Sequence, residues 1–98
     1  MLVLVFSYEA RELAEFERVY GPEGAWAEFF RRGAGYVGTE LLRDPESPSR
    51  YLVLDRWESA EAYNAFVEAN RTEYMERVDD TRLYYDQELR LGTFENVW

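Results

Sequence analysis

Residues 55–66 read Asp-Arg-Trp-Glu-Ser-Ala-Glu-Ala-Tyr-Asn-Ala-Phe, and the periodicity of the chain changes inside them. Upstream, Tyr51, Val53, Asp55 and Trp57 alternate with Leu52, Leu54 and Arg56, the period of two expected of a strand. Downstream, Tyr63, Phe66 and Val67 recur at helical spacing. Ser59 stands between the two patterns as a helix N-cap, with Glu58 and Glu61 beside the positive end of the helix that follows. The stretch is a strand-to-helix junction, and the helix it opens is expected to run to about Val78.

Five further elements follow by working outward. Leu2 to Ser7 reads as a first strand, apolar on both faces. From Arg11, Leu13, Phe16 and Tyr20 keep helical spacing until Gly21-Pro22-Glu23-Gly24 interrupts them. A shorter helical piece carries Trp26, Phe29 and Phe30 and stops at Gly33-Ala34-Gly35, with Glu28 and Arg32 spaced for an i,i+4 ion pair. Tyr36 to Arg43 is a second strand, and the turn residues Asp44 to Ser49 link it to a third, Arg50 to Trp57. A fourth strand is expected near Gln87 to Phe94. The order is β-α-β-β-α-β, that of the ferredoxin-like split unit: an α+β fold with a four-stranded antiparallel sheet and helices on one face. Residues 1–98 contain no repeat, low-complexity stretch or linker and are expected to form one domain.

Composition narrows the function classes. The chain is 47% hydrophobic and 17% aromatic. At 98 residues it buries only about 60–65% of its unfolded surface, so a partner subunit would help it. The first strand needs cover on both faces, and a bare apolar sheet is a patch that soluble monomers rarely carry. A homodimer packed sheet against sheet is the expected remedy. A net charge of −9, with eleven basic residues that are all arginine, argues against nucleic acid. The absence of cysteine and histidine removes thiolate sites, disulfides, the commonest metal ligand and the commonest neutral-pH base. The apolar start is far shorter than a ~20-residue membrane span and lacks a basic leader, so a cytoplasmic protein with no membrane association is expected.

The residues Tyr20-Gly21-Pro22-Glu23-Gly24-Ala25-Trp26, Gly35 to Arg43, Arg50 to Ser59 and Phe66 together resemble the antibiotic biosynthesis monooxygenase domain family, within the dimeric α+β barrel superfamily. The likeness spans roughly residues 13 to 78. It is specific for the fold, through the Trp-x-Ser junction, and not for a reaction. It implies a homodimer whose sheets form a barrel, with a ligand pocket in each subunit between helices and sheet. It further implies a cofactor-independent monooxygenase, free of metal and flavin, acting on a small aromatic or quinol-like molecule. The physical logic is that a deprotonated, electron-rich phenol passes an electron to O₂ unaided, so the protein need only bind, orient, deprotonate and stabilise the anion. A non-catalytic small-molecule binder on the same dimeric fold is the rival reading. The haem-degrading branch of the family uses a helix histidine and a helix tryptophan; this chain has no histidine, and its helix aromatic is Phe66.

Candidate site residues follow from the helix stripe Tyr63, Phe66, Val67, Asn70 and Tyr74. Asn70 is its polar anomaly: either a donor to a substrate oxygen, or an amide satisfied by a backbone or tyrosine partner. Tyr74 is either a phenolic donor to ligand or a core ring with its hydroxyl at the edge. These two are the candidate catalytic residues. Trp26, Phe29, Trp57, Tyr63 and Phe66 are the candidate substrate-binding residues, each with core packing as its alternative. Asp55 shares the parity of Tyr51 and Trp57; facing the helices, it is either a base of raised pKa or the partner of an arginine, and pairing is the expectation. No obvious general base otherwise lies in the expected pocket, and no metal site is expected.

Overall fold

The computed structural model describes residues 1–97. Strand β1 (Leu2–Ala10) is followed by helices α1 (Leu13–Tyr20) and α2 (Ala25–Phe30), then by strands β2 (Tyr36–Asp44) and β3 (Ser47–Trp57). Helices α3 (Ala60–Ala69) and α4 (Arg71–Thr81) lead through a single 3₁₀ turn at Arg82–Tyr84 into strand β4 (Tyr85–Glu95). The four strands lie in the order β2-β3-β1-β4, and every neighbouring pair is antiparallel. This is the ferredoxin-like arrangement that the order of elements predicts.

Alternation along the central strands decides which side holds the core. Leu2, Leu4, Tyr8 and Ala10 of β1 are buried, as are Tyr51, Val53, Asp55 and Trp57 of β3. These side chains share the face covered by the helices, where Phe16, Val19 and Tyr20 of α1, Phe29 and Phe30 of α2 and Phe66 of α3 meet them. Two clusters result. One gathers Tyr8, Phe16, Tyr20, Tyr51 and Val53; the other gathers Leu2, Leu4, Phe29, Phe30, Trp57 and Phe66. Phe6 and Trp26 pack against both.

The junction at Trp57 is built as its sequence suggests. The Ser59 hydroxyl accepts from the Ala62 N–H at 3.1 Å, the N-cap bond. Trp57 is fully buried, and the chain after α2 crosses it closely: a Cβ on Gly33 would come within 2.8 Å of the indole and 2.6 Å of the Phe66 ring. Gly35 then takes φ +94, open to glycine at little cost. Its carbonyl accepts from the Glu58 N–H at 2.7 Å, tying the loop to the end of β3.

Three local expectations change. The long helix after Ser59 is broken at Asn70, which has φ −124 and ψ 26 and closes α3 while opening α4. Asparagine competes for backbone groups, and here its Nδ2 donates to the Phe66 carbonyl at 2.9 Å. The six-residue turn Asp44 to Ser49 shrinks to Pro45-Glu46 because β2 and β3 both extend, with the Asp44 carboxylate accepting from the Glu46 N–H at 2.9 Å. Arg32 leaves Glu28 and pairs at 2.8 Å with Glu73 of α4, which Arg77 also meets at 3.1 Å.

The opposite face of the sheet has no helix against it. Val3, Val5, Leu52 and Leu54 lie there half-buried, and by register Leu42, Leu89 and Phe94 join them, exposed by 43%, 54% and 54%. No described helix is long and apolar enough to cross a membrane.

Candidate active site

Where the two core clusters meet, the packing leaves a cavity of about 120 Å³. It is close in size to a ~150 Å³ apolar cavity that holds one benzene. Its floor comes from the sheet: Phe6 and Tyr8 of β1, Thr39 of β2, Val53 and Asp55 of β3, Tyr85 and Glu88 of β4. Its roof comes from the helices: Tyr20 of α1, Trp26 and Phe30 of α2, Tyr74, Val78 and Thr81 of α4. The cavity is lined by members of both aromatic clusters and sits on their seam.

Two carboxylates and no arginine line this space. Asp55 is 8% exposed, and its Oδ1 accepts from the Thr39 hydroxyl at 2.6 Å. The Thr39 oxygen in turn lies 2.5 Å from the Tyr36 hydroxyl. Since Thr39 spends its one proton on Asp55, Tyr36 must donate to Thr39. Burial pushes the Asp55 carboxyl up from 3.8 to about 6, and the Thr39 bond offsets only part of that. The sequence expectation that an arginine would pair with Asp55 fails because strand alternation separates them. Arg56, the adjacent residue, points to the other face and pairs with Glu40 at 3.0 Å.

The remaining polar groups are neutral donors. The Trp26 indole N–H is buried with no acceptor; the Tyr20 hydroxyl lies near it without accepting from it at bonding geometry. An unpaired buried donor costs about 1–3 kcal/mol unless a ligand takes it. Burial, reinforced by the neighbouring Tyr63 hydroxyl, raises the Tyr74 phenol well above its ordinary value and keeps it protonated. Tyr8 is raised too, first by burial, then by Tyr20 and by its 2.5 Å bond to Glu88.

Of the candidates named from sequence, Trp26 and Tyr74 line the cavity together, their rings 5.5 Å apart. Phe29, Trp57 and Phe66 stand behind it in the second cluster, with Tyr63 edge-on to Trp57 at 5.6 Å. Asn70 does not reach the cavity. It borders a surface depression beside Gly33, Ala65 and Ala69, and its amide is engaged by the Phe66 carbonyl. Sequence reasoning assigned no role to Thr39, Glu88 or Tyr20. The parity of Thr39 against Asp55 is set by strand pairing, which no local pattern announces. Among the described residues no cluster of His, Cys, Asp and Glu could hold a metal ion.

A model of the antibiotic biosynthesis monooxygenase family matches residues 6–77. A comparison with curated proteins found no match. Among solved structures, the chain resembles SnoaB, a cofactor-independent oxygenase from Streptomyces nogalater, in the crystal structure of a mutant form: TM-score 0.81, 21% identity, covering 99% of this chain and 93% of that one. A putative antibiotic biosynthesis monooxygenase from Deinococcus radiodurans superposes with TM-score 0.74 at 13% identity, covering 98% and 92%. A mutant of MhuD, with two manganese protoporphyrin IX bound per active site, superposes with TM-score 0.68 at 22% identity, covering 100% and 96%. This chain has no histidine, and its ~120 Å³ cavity is small against the ~300–1,000 Å³ of ordinary ligand sites, a poor fit to a porphyrin. These likenesses share the fold; the family match covers most of the chain, which therefore belongs to the antibiotic biosynthesis monooxygenase family.

Proposed function

We propose that the protein is a cofactor-independent monooxygenase of a small phenolic or quinol-like substrate, with Asp55 as its proton acceptor. One observation carries this reading: a buried carboxylate with no cation partner opens onto an aromatic cavity whose wall includes Trp26, a residue with an unsatisfied indole N–H. Perturbed acids in clefts are where proton-transfer sites concentrate.

The chemistry uses the chain's own groups. The rings hold the substrate ring, and Asp55 takes the phenol proton. Trp26 Nε1 and the neutral Tyr74 hydroxyl donate to the oxygen as it becomes negative. The phenolate supplies the electrons to O₂; one oxygen atom enters the ring at a free para position and the other leaves as water, giving the para-quinone. A simple phenol near pKa 10 would lose its proton to an acceptor at about 6 uphill by roughly 5 kcal/mol. Fused-ring phenols, whose anions are delocalised over more than one ring, narrow that gap. The cavity admits one ring without rearrangement, so a larger substrate requires α2 and α4 to part.

The uncovered apolar sheet face supports a homodimer as part of the same proposal. A cytoplasmic location belongs with it. The test is oxygen uptake with 1-naphthols whose para position is free, with quinone followed by absorbance. Asp55→Asn should lower kcat by about 10²–10⁴-fold. Binding of these phenols without oxygen uptake would leave the protein a binder.

A further inference from the structure

The second carboxylate of the cavity, Glu88, has no part in the chemistry above. Its place is defined by register: Tyr8 of β1 pairs with Glu88 of β4, while Leu4 of β1 pairs with Asp55 of β3. Four residues of strand, about 13 Å of rise, separate those two levels, and β3 and β4 flank β1 on opposite sides. The carboxylates thus stand at diagonal ends of the cavity floor. The Tyr74 hydroxyl between them feels both charges.

Glu88 is also held in place. The Tyr8 hydroxyl donates to it at 2.5 Å, and the Tyr8 ring packs 5.2 Å from Tyr85 and 4.9 Å from Tyr20. Tyr20 and Tyr85 line the same cavity as Glu88, and aromatic rings beside a carboxylate are a setting in which proteins bind organic ammonium groups. No described ion pair includes either Glu88 or Asp55, although ten arginine–carboxylate pairs form elsewhere. Glu88 is exposed, so it marks the solvent-facing rim of the cavity, where a cation from outside can reach it. A net charge of −9 favours approach of cations and opposes anions.

We propose that the cavity takes a phenolic amine with its ring inside, its hydroxyl at Asp55 and its protonated amine extending to the exposed Glu88 at the rim. The hydroxyl end rests on the reading of Asp55 given above; the amine end stands on the geometry of Glu88 alone. An aromatic acid of the same shape is excluded, since its carboxylate would meet Glu88 with no arginine to receive it.

Three probes with one ring test this: tyramine, phenol and 4-hydroxyphenylacetate, titrated by calorimetry at neutral pH. Tyramine should bind about tenfold tighter than phenol, and 4-hydroxyphenylacetate at least about tenfold more weakly. Glu88→Gln should bring the tyramine-to-phenol ratio close to one, whereas Asp55→Asn should preserve it. Equal affinities, a reversed order, no binding of any probe, or a ratio that survives Glu88→Gln or vanishes in Asp55→Asn would each overturn the proposal. Oxygen uptake is scored separately, on phenol and 1-naphthol, because the para substituent of tyramine and of 4-hydroxyphenylacetate blocks the oxygen insertion described above. A cation preference without uptake keeps the phenolic-amine site and discards the oxygenase; uptake without a preference does the reverse.

Discussion

Replacing Asp55 by Asn tests the burial of its charge without reference to any substrate. The wild-type carboxyl sits at about 6 in the folded chain, against an ordinary 3.8. At about 1.36 kcal/mol per pH unit, ionised Asp55 destabilises the fold by about 3 kcal/mol at neutral pH. The folded state binds the extra proton between these values, so stability falls as pH rises from about 4 through 6, and the penalty disappears at low pH. Asn keeps an oxygen to accept from Thr39 but leaves an amide facing the cavity, at a cost of about 1–3 kcal/mol at every pH. The difference in unfolding free energy, mutant minus wild type, should therefore be more favourable to the mutant at pH 8 than at pH 4 by about 2–3 kcal/mol. Urea melts of both proteins at the two pH values measure it. A difference that stays constant would mean that Asp55 titrates like a surface carboxylate. One that shrinks toward pH 8 would mean that a cation pairs with it, and the argument for a free buried base would fall.

The rate of phenol oxidation should rise with pH and level off above an inflection near 6, because Asp55 must be ionised to accept the proton; a flat kcat/KM profile from pH 5 to 8 contradicts that role. Gly33→Ala should cost about 1–3 kcal/mol, since its methyl meets the indole of Trp57 and the ring of Phe66, neither of which can swing away from the core; an unchanged thermal midpoint would show that the loop yields freely. Light scattering should give about twice 11.7 kDa for the wild type and the single-chain mass for Leu54→Glu, whose charge would lie on the uncovered sheet face; a wild-type monomer at all concentrations rules out the dimer.

The architecture was legible because its signals are local. The change of period at Trp57, the cap at Ser59 and the glycines after Phe30 each act within a few residues, and each appears in the structure. The break at Asn70 was not. Tyr63, Phe66, Val67 and Tyr74 keep helical spacing across it, and the stripe conceals one residue whose amide turns back to its own helix. Asp55 was half legible. Alternation with Trp57 places it inside, but the absence of an arginine beside it depends on which way side chains of distant strands point. Strand ends proved longer than their sequence patterns, since the ladders of β1 with β3 and β4 extend pairing to Glu9 and Ala10, beyond the apolar run.

Because the cavity lies on the joint between two separate aromatic clusters, its width is an adjustable quantity. Trp26 and Phe6 pack against both clusters and Tyr74 against the second, so widening the gap between the Trp26 and Tyr74 rings means loosening contacts within the second cluster. Substrate range is then tied to how firmly α2 and α4 are held on the sheet, and residues that alter it need not touch the ligand. The Arg32–Glu73 bridge links the chain just after α2 to α4 at the surface. It ties together two helices whose Trp26 and Tyr74 line the cavity, so its removal, worth about 0–1 kcal/mol for an exposed pair, would loosen them without changing any cavity-lining side chain.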